Sequence, residues 1–142
     1  MKILLDTSII VEIDRKNKLS IGIIKKLVAK YAVYISVVTL SEILTGGYLR
    51  DDYEDSVAEI NRVLSQFYLI DMDSDIADTT AKFQAKLIKA GKIIEYPDIV
   101  IAATFNKIEG DYLLTLNKAH FDVIAELKGK VFTPEDFITI LK

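Results

Sequence analysis

Three carboxylates and one amide stand at points of the sequence where an α/β protein builds its working site. Asp6 directly follows the apolar run KILL, and Asn117 follows the run YLLT after one leucine. Glu42 lies six residues past the strand-like run AVYIS, inside a helical pattern, and Asp98 opens an apolar helix. Because ligands of open α/β sheets bind beyond the carboxyl ends of the strands, we expect these side chains to meet there.

A cluster of carboxylates predicts a bound cation, because neighbouring negative charges raise each other's pKa unless a positive charge lies between them. The chain has no cysteine and a single histidine, which excludes thiolate sites and paired-histidine sites. Ligand sets made only of oxygen favour Mg²⁺ or Mn²⁺ over zinc, and these ions coordinate water and phosphoryl oxygens. The residue types therefore predict phosphate chemistry at a hard-metal site.

Each acid also has an ordinary structural explanation when it is considered alone. Asp6 and Asp98 can satisfy free backbone N–H groups at helix N-termini. Glu42 can form a capping box with Thr39, three residues earlier. The convergence of several such residues on one crevice favours the functional interpretation.

The elements that must position these residues alternate between strands and helices. Apolar and β-branched runs predict strands over 2–5, 32–36, 68–72 and 112–115, with a short strand in KVF near the end. Helical spacing and capping residues predict helices over 6–14, 20–31, 38–49, 51–67, 74–92 and 98–108, and a terminal helix after Thr133. This alternation indicates an α/β fold with a central, mostly parallel sheet flanked by helices in three layers. We expect residues 1–142 to form a single domain.

Composition and charge exclude several classes of protein. The net charge of −3 argues against a protein that coats nucleic acid through bulk electrostatics. No run approaches the roughly 18 uncharged apolar residues of a membrane span, and no signal-like cleavage region occurs. We therefore expect a cytoplasmic protein. The mean hydropathy of +0.26 is high for a lone monomer and indicates apolar surface that a partner covers.

The four polar positions fall within segments that resemble, in order, motifs of the PIN-domain ribonucleases, and among these the VapC-type toxins of toxin–antitoxin pairs. The segments are ILLDTSIIVEI, ISVVTLSEILTG, YPDIVIAATF and LLTLNKAHFDVI, and the ending FTPEDFI is similar to archaeal members. The resemblance covers essentially the whole chain. It implies a three-layer PIN-like domain that acts as a metal-dependent endoribonuclease, with a metal-activated water attacking an RNA phosphodiester.

The resemblance also implies a role for each matching site residue. Asp6 and Asp98 would hold Mg²⁺ or Mn²⁺ directly, and Glu42 would bind the metal through water or orient the attacking water. Asn117 matches a position where many members carry an aspartate and others an asparagine. It can still hydrogen-bond a metal-bound water, but it brings no charge.

Four further residues are predicted to support the site or to contact RNA. Thr7 and Thr115 match small hydroxyl residues around the family's site, where they would support it or contact phosphate. Lys89 and Lys92 lie near the site end of a helix and are candidates for RNA binding, although a solvated helix face explains them equally well. His120, the single histidine, is interpreted as a loop residue beside the core without a chemical role.

The partners that the resemblance implies are an RNA substrate, a VapB-like antitoxin and a second copy of the chain in a homodimer. The helical pair around Gly46 and Gly47 is a candidate antitoxin surface, and core packing of the two helices is the alternative. Two other functions stay open. The neutral Asn117 is compatible with a PIN-like module that binds RNA or protein with weak catalysis or none, and an RNA-maturation nuclease would share the same site.

Overall fold

A computed structural model describes residues 1–141, which contain a five-stranded sheet and eight α-helices. The strands are β1 (Lys2–Leu5), β2 (Ala32–Ser36), β3 (Tyr68–Ile70), β4 (Tyr112–Leu114) and β5 (Val131–Phe132). The helices are α1 (Thr7–Asp14), α2 (Lys18–Val28), α3 (Val37–Tyr48), α4 (Tyr53–Leu64), α5 (Ser74–Lys89), α6 (Tyr96–Lys107), α7 (Lys118–Asp122) and α8 (Pro134–Ile140), with a 3₁₀ turn at Ala125–Leu127.

All the strand pairs are parallel, and the strand order is β3-β2-β1-β4-β5. Strand β1 is therefore central, with Leu5 paired to Ile35 on one side and to Leu114 on the other. Because parallel strands all end at one edge, the residues that follow β1, β2 and β4 are brought together. The predicted α/β fold is confirmed, and the sheet is entirely parallel rather than mostly parallel.

The core has two halves, one on each face of the sheet. Side chains of a strand point alternately to opposite faces, so Ile3 and Leu5 belong to an apolar cluster with side chains of α1, α2, α3, α4 and α8, while Leu4 belongs to one with side chains of α5, α6 and α7. All three side chains are fully buried. This arrangement is the three-layer architecture that the sequence predicted.

Helix α6, which carries the predicted site residue Asp98, is deeply buried. Every residue from Ile99 to Phe105 is buried, as expected for a helix that is apolar all round. The helix begins at Tyr96 rather than at Asp98, so Asp98 lies in its first turn. Burial of the helix body fixes the position of that first turn relative to the sheet.

Other boundaries shift by a few residues from those that the sequence predicted. Helix α5 ends at Lys89 rather than 92, since Gly91 takes a left-handed φ of +69° just beyond it. Strand β3 ends at Ile70, and α4 spans a shorter segment than the predicted 51–67. Helix α7 was not predicted. Within residues 1–141, no helix combines the length and the apolar character required to cross a membrane.

Candidate active site

Asp6 lies immediately beyond β1 and is almost completely buried, with 2% of its surface exposed. Its backbone N–H donates to the carbonyl of Leu114 at 2.9 Å, which ties it to the end of the adjacent strand β4. It occupies the N-cap position of α1, yet its side chain makes no capping hydrogen bond. The capping explanation for Asp6 is therefore wrong, and its buried carboxylate is held by other groups.

Two neighbouring hydroxyl groups hold that carboxylate. Ser8 Oγ and Thr115 Oγ1 each donate to Asp6 Oδ2 at 2.7 Å. Ser8 Oγ also accepts from the backbone N–H of Leu116 at 3.0 Å, and Thr115 is fully buried. Both hydroxyls bond the same oxygen, so the other oxygen, Oδ1, receives neither of these hydrogen bonds.

Glu42 projects from α3 toward the start of α1. Thr7 Oγ1 donates to Glu42 Oε1 at 2.8 Å and is also 2.9 Å from Oγ1 of the buried Thr39. Helix α3 is capped by Ser36, whose Oγ accepts from Val38 N at 3.1 Å. The structural alternative for Glu42, a capping box with Thr39, is therefore wrong, because both side chains are engaged with Thr7.

The pKa of Glu42 lies above its ordinary value even though the residue is exposed at the rim of the site. Partial desolvation is the main cause, and the negative charges of Asp6, Asp98 and Glu95 add to it. The hydrogen bond from Thr7 acts in the opposite direction because it stabilises the ionised form. The effect of these charges on Glu42 shows that the four acids lie close enough to interact electrostatically.

Asp98 faces the same region from the first turn of α6, and its side chain is only 16% exposed. Its Oδ2 is hydrogen-bonded to His120 Nδ1 at 2.8 Å rather than to a backbone N–H of its own helix. Burial raises the pKa of Asp98, and the charges of Asp6 and Glu95 raise it further. The hydrogen bond and charge of His120 oppose this shift.

Asn117 takes the N-cap position of α7, three residues beyond the carboxyl end of β4, but its side chain makes no capping hydrogen bond. Its backbone N–H donates to Thr115 Oγ1 at 2.9 Å, which connects it to the hydroxyl that holds Asp6. Within residues 1–141, no hydrogen bond links the Asn117 amide to a site carboxylate. The structure therefore places Asn117 beside the site, and a direct role for its side chain stays a prediction.

The chemistry of this donor set fits a hard divalent cation. The charge of Asp6 raises the pKa of both Glu42 and Asp98, and neither lysine nor arginine is among the groups that offset this repulsion. No three acidic or histidine side chains within residues 1–141 are spaced to hold one ion together. Direct ligation by Asp6 and Asp98, with Glu42 contacting the ion through water, stays a prediction.

Lys89 and Lys92 lie at the carboxyl end of α5 and just beyond it, and both are exposed. Lys92 borders a small apolar pocket with Leu87 and Ile124. No hydrogen bond connects either lysine to a site carboxylate within the described residues. Their role in RNA binding stays a prediction.

A groove of about 580 Å³ opens between α1, α3 and α4 and extends to Glu42. Gly47 lines it and packs closely on α4, because a Cβ at this position would come within 2.7 Å of Ile60 Cδ1. Gly46 lines the same groove with no atom within 4 Å of the position of such a Cβ. Core packing therefore accounts for Gly47, and Gly46 borders open space.

Three residues of the site were not recognised from the sequence. Ser8 bonds Asp6, Glu95 adds negative charge next to Asp98, and His120 lies in α7 instead of a loop and bonds Asp98. Ser8 carried a signal, since it is two residues after Asp6 at the start of a helix. Nothing local connects His120 with a residue 22 positions earlier, because that contact depends on the packing of α7 near α6.

Two comparisons relate this sequence to known proteins. Residues 3–127 match the model of the PIN domain family. The chain is 29% identical over 132 residues to Ribonuclease VapC1 of Methanocaldococcus jannaschii, an alignment that covers 92% of this chain and 87% of the relative.

Solved structures of similar fold include VapBC2 from Rickettsia felis bound to a DNA fragment from their promoter, with a TM-score of 0.83 and 22% identity over 94% of this chain and 98% of that one. A toxin-antitoxin complex from Klebsiella pneumoniae has a TM-score of 0.73 and 22% identity over 92% and 96%. At these identities the two structures establish the fold alone. The match of the family model over most of the chain confirms the resemblance seen in the motifs, and this protein belongs to the PIN domain family.

Proposed function

We propose that this protein is a metal-dependent endoribonuclease of the VapC type, the toxin of a type II toxin–antitoxin pair. The observation that carries the proposal is the meeting of Asp6, Glu42 and Asp98, from three separate elements, within electrostatic reach of one another. Such mutual repulsion is costly in a merely structural cluster and useful where a cation binds. The similarity to a ribonuclease named VapC1 supports RNA as the substrate.

In this proposal, Asp6 and Asp98 hold Mg²⁺ or Mn²⁺, which when bound polarises a water molecule and neutralises charge on the phosphate. Ser8 and Thr115 fix the carboxylate of Asp6 through its Oδ2. Thr7 fixes Glu42 through Oε1, so that the second oxygen of Glu42 can accept a hydrogen bond from the attacking water. Attack breaks the bond from phosphorus to the 3′ oxygen and leaves a 5′ phosphate and a 3′ hydroxyl.

The groove that extends to Glu42 supports a protein partner of the antitoxin kind. Its walls carry four further acidic residues against three basic ones, so a segment with basic side chains would complement it. The acids are Asp14, Asp52, Asp55 and Glu59, and the bases are Arg15, Lys16 and Arg50. A basic antitoxin segment lying there would reach the site acids and block them.

The same proposal includes a homodimer that works in the cytoplasm, where its RNA substrates are found. Large apolar side chains are exposed on several elements, among them Leu49, Tyr68 and Ile93. Burial of part of this surface between two copies would lower its cost in water. Light scattering at micromolar concentration tests the dimer directly.

The test of the function is cleavage of total cellular RNA by purified protein, with Mn²⁺ and with EDTA. Wild type is expected to cut at discrete sites only when metal is present, and Asp6→Asn and Asp98→Asn are expected to lose most of this activity. Asp78→Asn is the matched control, since Asp78 lies on α5 in an exposed ion pair with Lys82. Equal cutting by wild type and by Asp6→Asn would identify a contaminating nuclease.

A second candidate is a PIN-like module that binds RNA or protein without cutting it. It is favoured by the neutral Asn117, whose amide makes no hydrogen bond to the carboxylates within residues 1–141. Mn²⁺ binding without any cleavage by antitoxin-free protein would select this candidate. An RNA-maturation nuclease would show cleavage but would lack a neighbouring gene for a small antitoxin.

A further inference from the structure

We propose that His120 is a positioning residue that fixes the carboxylate of Asp98 for metal binding and links it to the turn that carries Asn117. This inference rests on the proposed function, since it concerns the same site. It gives a specific task to a side chain that neither the motifs nor the capping patterns singled out.

The first support is the contact itself. His120 Nδ1 lies 2.8 Å from Asp98 Oδ2, and the two residues are 22 positions apart on different helices. Within residues 1–141, His120 is the only side chain that hydrogen-bonds Asp98. The bond therefore selects one orientation of the carboxylate, in which Asp98 Oδ1 takes no part in the bond to His120.

The second support is the way in which the imidazole is held. The backbone N–H of His120 donates to the carbonyl of Asn117 at 3.0 Å, within the first turn of α7. The next residue, Phe121, is fully buried in the core between the sheet and α6. Since Phe121 anchors α7, the position of His120 is set by core packing, and the ring can in turn orient Asp98.

The third support is that Asp98 needs such a partner. Asp6 and Glu95 repel its charge, and no lysine or arginine offsets this repulsion within the described residues. Repulsion raises the free energy of the Asp98 carboxylate in the site, and the side chain would gain conformational entropy if it turned away. The hydrogen bond from His120 opposes both effects.

The role does not depend on the charge of the ring. A donor at Nδ1 exists in the imidazolium and in the neutral tautomer that carries its proton on Nδ1. His120 itself is 48% exposed in its side chain, so it contributes little to the core. Loss of the ring should therefore affect metal binding much more than folding.

The test compares His120→Ala, His120→Asn and His120→Gln in Mn²⁺ titration by calorimetry and in RNA cleavage. The asparagine amide can take the place of Nδ1, whereas the glutamine amide lies one bond further out, nearer the place of Nε2. We expect His120→Ala and His120→Gln to weaken Mn²⁺ affinity and cleavage by about 10-fold or more, and His120→Asn to recover most of both. Asp122→Ala, an exposed change on the same short helix, is the control and should leave both unchanged.

A double-mutant cycle separates failure of this inference from failure of the proposed function. The thermal midpoints of wild type, Asp98→Ala, His120→Ala and the double variant are measured in EDTA, so no activity is needed, and each single substitution removes the contact. If the midpoints are non-additive but wild type does not cleave RNA, the proposed nuclease function is wrong and the contact between His120 and Asp98 is supported. Normal Mn²⁺ affinity in His120→Ala, or equal behaviour of the asparagine and glutamine variants, would overturn the positioning role.

Discussion

The hydroxyl of Thr115 performs two tasks inside the protein, because it donates to Asp6 Oδ2 and accepts from the backbone N–H of Asn117. Thr115→Val keeps the shape and removes both bonds, which leaves a backbone donor unpaired in a part-buried position. We expect a loss of about 1–3 kcal/mol in unfolding free energy and a 10- to 100-fold loss in RNA cleavage. Urea denaturation and initial cleavage rates measure the two effects.

Thr139→Val is the matched control for Thr115→Val. Thr139 is exposed on α8, and its hydroxyl donates to the carbonyl of Asp136 within its own helix. Its loss should change the free energy of unfolding by less than about 0.5 kcal/mol. Equal effects of the two substitutions would show that the buried hydroxyl does not hold the site together.

The raised pKa of Asp98 predicts how the metal-free protein responds to pH. A carboxyl whose pKa is higher in the folded state favours folding when it is protonated, so its contribution declines as pH rises above the ordinary value of 3.8. At neutral pH the folded protein therefore bears the full cost of this buried charge. Asp98→Asn removes the charge and keeps an oxygen that can accept from His120.

We accordingly expect Asp98→Asn in EDTA to unfold a few degrees above wild type at pH 7.5, with a smaller difference at pH 4.5. Addition of Mn²⁺ should reverse the order, because only wild type gains stability from a tightly bound ion. Thermal scans at the two pH values measure this. A variant less stable than wild type at pH 7.5 without metal would contradict the electrostatic cost assigned to Asp98.

At the scale of elements, the connection from α6 to β4 sets the distance between Asp98 and Thr115. Gly110 lies buried in this connection, and its N–H donates to the carbonyl of Phe105 at 3.0 Å. A Cβ at Gly110 would lie about 2.5 Å from Cδ2 of the buried Phe105 ring. The Phe105 ring is rigid and enclosed by the core, so it cannot relieve this contact by rotating a terminal methyl group, as an aliphatic side chain could.

Gly110→Ala should therefore cost about 1–3 kcal/mol in unfolding free energy, as overpacking of a core does. Gly22→Ala serves as its opposite, because Gly22 lies within α2 with no atom within 4 Å of the added Cβ. That substitution should stabilise the protein by about 0.5–1 kcal/mol, since alanine restricts the unfolded chain. If the denaturation curves of Gly110→Ala and Gly22→Ala shift in the same direction, this account of the α6–β4 connection is wrong.

The elements also show what the sequence could predict. The runs KILL and AVYIS gave strands with the observed bounds, because their apolar residues pair on both sides of a buried parallel sheet. Asp6, Glu42 and Asp98 are site candidates from the sequence because polar residues at such points are conspicuous against apolar neighbours. Helix α7 was not predicted, because five residues are too few to show a helical periodicity. The helix is held in place by Phe121, which is buried in the core.

The remaining site contacts could not be read from the sequence for the same reason. Ser8 with Thr115 and Asp98 with His120 are pairs that form only when separate elements pack together. Sequence spacing describes one helix or strand at a time. Pairing across elements depends on strand order, which places β4 beside β1 although they are about a hundred residues apart.

At the scale of the whole molecule, β1 joins the two halves of the core. Its Leu4 belongs to the apolar cluster beside α5, α6 and α7, and its Ile3 and Leu5 belong to the cluster beside α1, α2, α3, α4 and α8. Unfolding of either helical layer would expose one face of this strand and remove the support for its neighbours. The site depends on both layers, since Glu42 extends from α3 and Asp98 from α6.

This shared strand predicts that the chain unfolds as one cooperative unit, as a single domain should. Two probes can follow the transition: helix loss by circular dichroism, and the emission of the seven tyrosines in a chain without tryptophan. Tyr112 contacts one apolar cluster and Tyr34 the other, so tyrosine emission reports on both faces of the sheet. We expect coincident midpoints and a calorimetric enthalpy equal to the van't Hoff enthalpy, with a midpoint that rises with protein concentration if two copies associate. Two separated transitions would show instead that the helical layers unfold independently, and the metal ligands they carry would then be held together only in the presence of the ion.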